Sequence, residues 1–371
     1  ATVPLSILGG CGLGAPGLPL PRPFDRDGAA QFDTSKRPPA MSDGYRPPAK
    51  LAVLLPLSGR LATAAQPVRD GLLSAYYGES RRRPDINFFD TAGTPAGALA
   101  AYDKAVASGA DFVVGPLGRD EVDAVYGRQQ LQVPVLALNR GKDAPPAGSA
   151  GFSLAPEDDG IVAAEYLRGR ERNRALVISS NDDTGRRSAA AFAQRFAQRG
   201  GQVVATVNVS EAVGDVGAQV RNAGQVDAVF LAVRAPQARL LAPQLALAGA
   251  GGATRVGTSQ LTVGSGKVEE DVALDGIVYP NEAWNVRSVS GLPSASQVAS
   301  ALPSARGAAG RLFAFGADAW KITAYLDKLS NEGGLDGATG TLFLDSNGNI
   351  LRQPAWSTFN GGRPMPIVGG R

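Results

Sequence analysis

From Leu51 onward, short continuous apolar runs alternate with amphipathic stretches, and the runs end at Gly, Pro, Asp or Asn. That rhythm predicts parallel strands buried on both faces and joined by crossover helices. The strands are expected at 51–56, 86–89, 111–114 and 133–138, and the helices at 68–77, 98–106 and 121–128. The alternation then restarts. Pro156 with Glu157 and Asp158 begins a helix to 167, placing carboxylates at its positive end. Strands follow at 175–179, 203–209, 227–233, 255–257 and 276–279, with helices at 188–197 and 236–247. Residues 281–309 read as polar, Ser-rich turns. A helix over 313–326 places Phe315, Ala319, Ile322 and Leu326 on one side. Residues 341–352, TLFLDSNGNILR, form a hairpin turning at Asn347-Gly348. The expected fold is α/β, with two Rossmann-like lobes, each on a parallel sheet. Ligands of such sheets lie beyond the carboxyl ends of the strands, so two facing lobes make a cleft. Residues 51–153 and 285–336 are assigned to lobe 1, and 154–284 and 337–371 to lobe 2. Hinge crossings are expected near 151–156, 279–284 and 336–341.

Composition narrows the function. With 371 residues, 44% hydrophobic and 19% charged, the chain can build two packed cores. A net charge of +3 and the short run Arg81, Arg82, Arg83, without interleaved aromatics, argue against nucleic-acid binding and fit solvated charges. Histidine is absent and Cys11 is the only cysteine. No metal site, no cofactor and no catalytic constellation is therefore expected. No apolar run is long enough to span a membrane.

The amino-terminal segment has its own character. Leu8-Gly9-Gly10-Cys11 has the form of a lipobox, which predicts a lipid on Cys11; a lone cysteine in a Gly-rich tail is the plainer alternative. Residues 12–50, rich in Pro, Gly, Asp and Arg, read as a flexible tether holding the lobes away from a membrane.

Several motifs fail on inspection. Gly264-Ser265-Gly266-Lys267 lacks the leading Gly of a phosphate loop, and Val268 replaces its Ser or Thr. Gly-x-Ser-x-Gly is absent, and without histidine no ordinary triad can form. Glu157, Asp158 and Asp159 read as a helix cap, whereas Asn181, Asp182 and Asp183, after a strand, are equally a turn or part of the cleft. Asp345 to Gly348 is hairpin chemistry rather than a metal loop.

The stretch LAVLLPLSGRLATAAQPVRDG at 51–71 resembles the opening strand, loop and helix of type I periplasmic binding proteins. Gly115-Pro116-Leu117, Leu138-Asn139, the run from Phe315 to Trp320 and the run from Gly337 to Leu342 narrow the resemblance. Together they resemble the carboxyl-terminal domain of the LppC/LpoA family, outer-membrane lipoproteins that activate a class A penicillin-binding protein. Longer members carry a helical-repeat domain first, and no such repeat is visible here.

The resemblance implies which loops face the cleft. Ser58 and Gly59, Leu117 and Gly118, and Asn139 with Arg140 come from lobe 1. Asn181, Asp182, Thr184 and Arg234 come from lobe 2, and Asn281 and Glu282 lie near the crossover. Ser58 and Gly59 are candidates to offer N–H groups and a hydroxyl to an anion. The implied function is a non-enzymatic lipoprotein on the periplasmic side of the outer membrane that binds and activates a peptidoglycan synthase. The alternative is a periplasmic receptor for amino acids or similar small anionic ligands, and a third reading is a fold relative without a ligand. The Asn139-Arg140-Gly141-Lys142 loop is basic, which favours the adaptor or an anionic ligand. As an exposed loop it would speed encounter with an acidic partner.

Overall fold

The computed structural model describes residues 32–128, 130–262, 264–331 and 334–368. Cys11 and its lipobox lie outside the described residues.

Lobe 1 begins with β1 (Lys50–Leu55), α1 (Ala62–Gly78), β2 (Asp85–Asp90), α2 (Pro95–Ala107), β3 (Phe112–Val114), α3 (Arg119–Tyr126), β4 (Val135–Ala137) and β5 (Ala150–Phe152). Lobe 2 contains α4 (Pro156–Arg168), β6 (Arg174–Ser180), α5 (Asp183–Gln198), β7 (Gln202–Val209), α6 (Gly217–Asn222), β8 (Ala228–Ala232), α7 (Ala235–Leu245), β9 (Thr254–Gly257), α8 (Val268–Asp271) and β10 (Val278–Asn281). The chain returns to lobe 1 through α9 (Ala283–Val286), α10 (Ala295–Ala301), α11 (Ala309–Ala324) and α12 (Leu326–Asn331). It ends with β11 (Leu335–Asp336), β12 (Thr341–Leu344), β13 (Asn349–Gln353), β14 (Ala355–Asn360) and β15 (Arg363–Pro366). Among the described residues the first sheet runs β11-β12-β13-β5-β4-β3-β1-β2 and the second β15-β14-β10-β9-β8-β6-β7.

The apolar runs explain the layering. In β1, Leu51, Val53 and Leu55 enter one core, while Ala52 and Leu54 enter the core on the opposite face. In lobe 2, Leu176 and Ile178 face one core and Ala175 and Val177 the other. A strand buried on both faces needs helices on both sides, and that is what a continuous apolar run encodes. Helix contacts are close where glycine permits. A Cβ on Gly71 of α1 would stand 1.8 Å from the Phe313 carbonyl, and one on Gly316 of α11 would stand 1.9 Å from that of Val68. These two glycines dock α11 onto α1 and so return it to lobe 1.

Two expectations need correction. The hairpin 341–353 belongs to lobe 1, because Asn349 pairs with Gly151 and Ile350 with Phe152 in parallel register. The assignment of all of 337–371 to lobe 2 therefore holds only for the strands after Pro354, and the last crossing lies at Pro354 rather than at 336–341. The tether is also shorter than expected, because residues 32–49 pack against lobe 1. Arg37, only 8% exposed, donates to the carbonyls of Arg46 and Thr323 and lies over the Phe112 ring. Tyr45 is buried under Arg81 and donates to the Arg82 carbonyl. Arg81 pairs with Asp43 and Glu79, and Arg82 donates to the carbonyls of Pro47 and Pro48, so these arginines hold the segment while Arg82 and Arg83 remain exposed, as solvated charges are expected to be. The strap lies by Gly109–Phe112, Leu131–Pro134 and Gly148, at the amino-terminal strand ends opposite the cleft.

Candidate functional site

The carboxyl ends of the lobe 1 strands border a cavity of about 440 Å³ between the lobes. Leu117, Gly118 and Asn139 line it, with Leu61 from just before α1, Phe315 from α11 and Arg187 from α5 across the gap. Asn139 shapes this wall. Its amide donates to the Leu117 carbonyl and its Oδ1 accepts from Arg140 N. Gly118 begins α3, and the buried Glu121 reaches back to accept from Gly118 N at 2.7 Å. Burial pushes the Glu121 carboxyl above the ordinary glutamate range.

Ser58 and Gly59 do not line that cavity. Asp90, at the end of β2, accepts from the Ser58 hydroxyl at 2.6 Å and from the N–H groups of Leu57, Ser58 and Ala92. The protein's own carboxylate thus occupies the donors expected to meet an external anion. Gly59 adopts φ +82°, and a Cβ there would stand 2.7 Å from the Ala92 carbonyl, so its role is the turn itself. The rejected phosphate-loop motif behaves alike, because Ser265 N donates to the Asp271 carboxylate, which also pairs with Arg239.

The lobe 2 candidates lie outside the cavity lining. Asp182 caps α5, accepting from Gly185 N at 2.7 Å and from the Ser180 hydroxyl. Thr184 is half-buried in the first turn of that helix, and Asn181 is exposed with its carbonyl bonded to Arg186. Arg234 precedes α7, and its exposed side chain pairs with Glu211. These are turn and cap roles.

Arg140, Asn281 and Glu282 instead join a buried charge network at the lobe junction. Asp158 on α4 receives Arg140 at 2.8 Å and lies 3.5 Å from Arg352 of β13. Its neighbour Asp159 accepts from the N–H and hydroxyl of Ser259. Arg311 of α11 donates to that hydroxyl at 2.6 Å and lies 2.8 Å from Glu282. Asn281 links Ser357, Glu282 N and Asn285. The arginines belong to lobe 1, whereas α4 packs on α5 of lobe 2 through Gly160 and Ser188. The Asp158 pairs therefore span the junction, and the Glu282–Arg311 pair ties the crossover after β10 to α11. The void left among them is about 10 Å³, at most the space of one water.

The sequence reading misjudged two features here. Asp158 and Asp159 are not simple caps, since α4 has no side-chain cap bond. Their helix start is visible in sequence, but Arg311 and Arg352 lie more than 150 residues downstream, and nothing local marks them as partners. The 139–142 loop is also not a free basic surface, because Arg140 is committed to Asp158 and only Lys142 is exposed.

Two α/β lobes on parallel-dominated sheets, joined by several crossings and with a cavity at the carboxyl strand ends of lobe 1, define a domain of the type I periplasmic-binding-protein kind. The chain belongs to the family described as "LppC putative lipoprotein", whose model matches residues 44–223 and 205–362. The penicillin-binding protein activator LpoA of Photobacterium profundum is 26% identical over 353 residues, covering 83% of this chain and 55% of the relative. The chain thus spans about half the length of the curated relatives it matches. Among solved structures, the C-domain of LpoA from Haemophilus influenzae, described as a regulator of PBP1A, superposes with a TM-score of 0.74 at 22% identity. That match covers 86% of this chain and all (100%) of the C-domain. A "putative branched-chain amino acid ABC transporter" of Chromobacterium violaceum gives a TM-score of 0.64 at 27% identity, covering 84% of this chain and 100% of that one.

Proposed function

We propose that this chain is a non-enzymatic envelope lipoprotein that binds a class A penicillin-binding protein and activates it, anchored through Cys11 on the periplasmic side of the outer membrane. Family membership and the activator names of its relatives support this reading. The structural observation that carries it is the charge network at the lobe junction. A receptor that closes on a solute must move its lobes, and moving them would separate Asp158 from Arg140 and Arg352. Stripping a buried charge of its partner costs about 3–5 kcal/mol, comparable to the roughly 4 kcal/mol that millimolar solute binding supplies. A lobe pair fixed in this way suits a rigid docking surface.

The receptor reading keeps one observation in its favour. The 440 Å³ cavity, with its apolar wall and Asn139 and Arg187 at its rim, has the size of a small-ligand site. Two calorimetric titrations separate the readings, one with the purified synthase and one with a panel of amino acids. The adaptor reading expects heat from the first alone. Micromolar amino-acid binding without synthase binding would replace it with the receptor.

A further inference from the structure

The far pole of lobe 2, at the amino-terminal ends of its strands, concentrates arginine. Residues 168–174 read RGRERNR, joining α4 to β6. The guanidinium groups are fixed in place. Arg168 donates to the carbonyls of Arg199 and Arg172, and Arg170 stacks 3.5 Å above the Tyr166 ring and donates to its carbonyl. Tyr166 in turn packs on Trp356. Arg172 donates to the Thr254 hydroxyl, and Arg174 to the Gln225 carbonyl and the Gln202 amide oxygen. These bonds knit the ends of α4, α5, β6, β7 and β9 into one surface.

Every acceptor in that set is neutral. Among the described residues, Arg168, Arg170, Arg172 and Arg174 make no ion pair with a carboxylate. Glu165 is taken by Arg195 and Arg199, and the Asp227 carboxylate accepts from the backbone of Asn173 and Arg174. Arginines that cap helix carbonyls need no solvent-facing surplus of charge, yet the pole retains one, four arginines standing against the single exposed Glu171 within the run. Arg174 is exposed, and Arg168, Arg170 and Arg172 are partly so.

We infer that this pole is a docking surface for an acidic, extended protein segment. The inference goes beyond the proposed function, and its choice of a protein over a membrane rests on the amino-terminal anchor of that reading. Pre-positioned guanidinium forks suit carboxylates, which they bind in plane and bidentately, and the aromatic stack under Arg170 keeps that fork from collapsing onto the surface. The position of the pole favours a protein over a membrane. The carboxyl ends of the lobe 1 strands line the cavity and those of β9 and β10 reach the lobe junction at Ser259 and Asn281, so the amino-terminal ends of the two sheets point away from the junction. The chain enters the described structure along the lobe 1 pole, and a bilayer approached from that side lies away from the arginines.

The test uses the full chain and a fluorescent deca-glutamate peptide, read by polarisation at low and at physiological salt. The parent should bind with an affinity that falls as salt rises. Arg170→Glu with Arg174→Glu should weaken binding on the order of tenfold or more. A charge-matched control on lobe 1, Lys104→Glu with Arg306→Glu, should bind like the parent. If the reversed pair loses cooperative unfolding, Arg170→Gln with Arg174→Gln serves in its place and should weaken binding in the same direction. Equal weakening by the control would show only bulk charge and overturn the inference. So would binding to vesicles of phosphatidylglycerol and phosphatidylcholine but not to the peptide, or peptide binding that both pole variants leave unchanged.

Discussion

The carboxylate of Asp90 accepts the Ser58 hydroxyl and three loop N–H groups, and the Ser58 bond is the main reason it is held below the ordinary aspartate range. A lowered carboxylate contributes its stabilisation above the ordinary value and loses it as pH falls through the folded one. Ser58→Ala should therefore move the Asp90 midpoint upward in an NMR titration, and an unmoved midpoint would remove Ser58 from the account. Glu121 runs the other way. Burial raises its carboxyl, so the folded state binds the proton more tightly and stability falls as pH rises toward and through the raised value. Glu121→Gln keeps the acceptor for Gly118 N and removes the buried charge, so it should be at least as stable as the parent at neutral pH in urea unfolding. Glu121→Ala should lose about 1 kcal/mol with the cap. A Gln variant less stable than the Ala variant would contradict this. Ser58 and Gly59 were legible in sequence as a turn after a strand, but Asp90 as its occupant was not, because its contact with the loop is made only when β2 pairs with β1.

The elements themselves followed the apolar periodicity wherever it was long, although α1 and α5 begin at Ala62 and Asp183, ahead of the expected starts at 68 and 188. The hairpin of β12 and β13 turns at Asn347-Gly348, with only Gly348 of the pair at positive φ (+83°) and Asp345 accepting from Asn347 N and Asn349 N. Elements without such a signal were missed. β5 reads Ala-Gly-Phe, β15 holds two prolines and survives as an edge strand, and α10 lies in a Ser-rich stretch, started by the Ser294 cap with Gln297. The strap was read as a tether because Pro and Arg dominate it. Its order comes from tertiary bonds, notably Arg46 and Thr34 to Asp327 on α12. Arg37→Ala should free the strap, lower stability by about 1–3 kcal/mol and open residues 32–49 to proteolysis. A cleavage pattern identical to that of the parent would argue that the strap is held without it.

At the scale of the molecule, the two lobes were legible from the restart of the strand–helix rhythm, whereas the contacts that hold them together were not. Asp158→Ala leaves Arg140 and Arg352 facing each other without their shared carboxylate, and it should cost about 3 kcal/mol or more in chemical unfolding. The same substitution should broaden the interlobe distance distribution between spin labels placed on the two lobes. A distribution as narrow as that of the parent would mean that the network does not fix the junction. Arg140→Glu should likewise lower stability, in contrast to Lys142→Glu, whose side chain is exposed. The central claim is that a fixed two-lobed domain acts on a synthase instead of closing on a solute. The most direct measurement is the rate of glycan polymerisation by a purified class A penicillin-binding protein with and without the stoichiometric chain. A several-fold rise that amino acids neither enhance nor abolish is the predicted result; an unchanged rate, with amino acids drawing the lobes together, would contradict it.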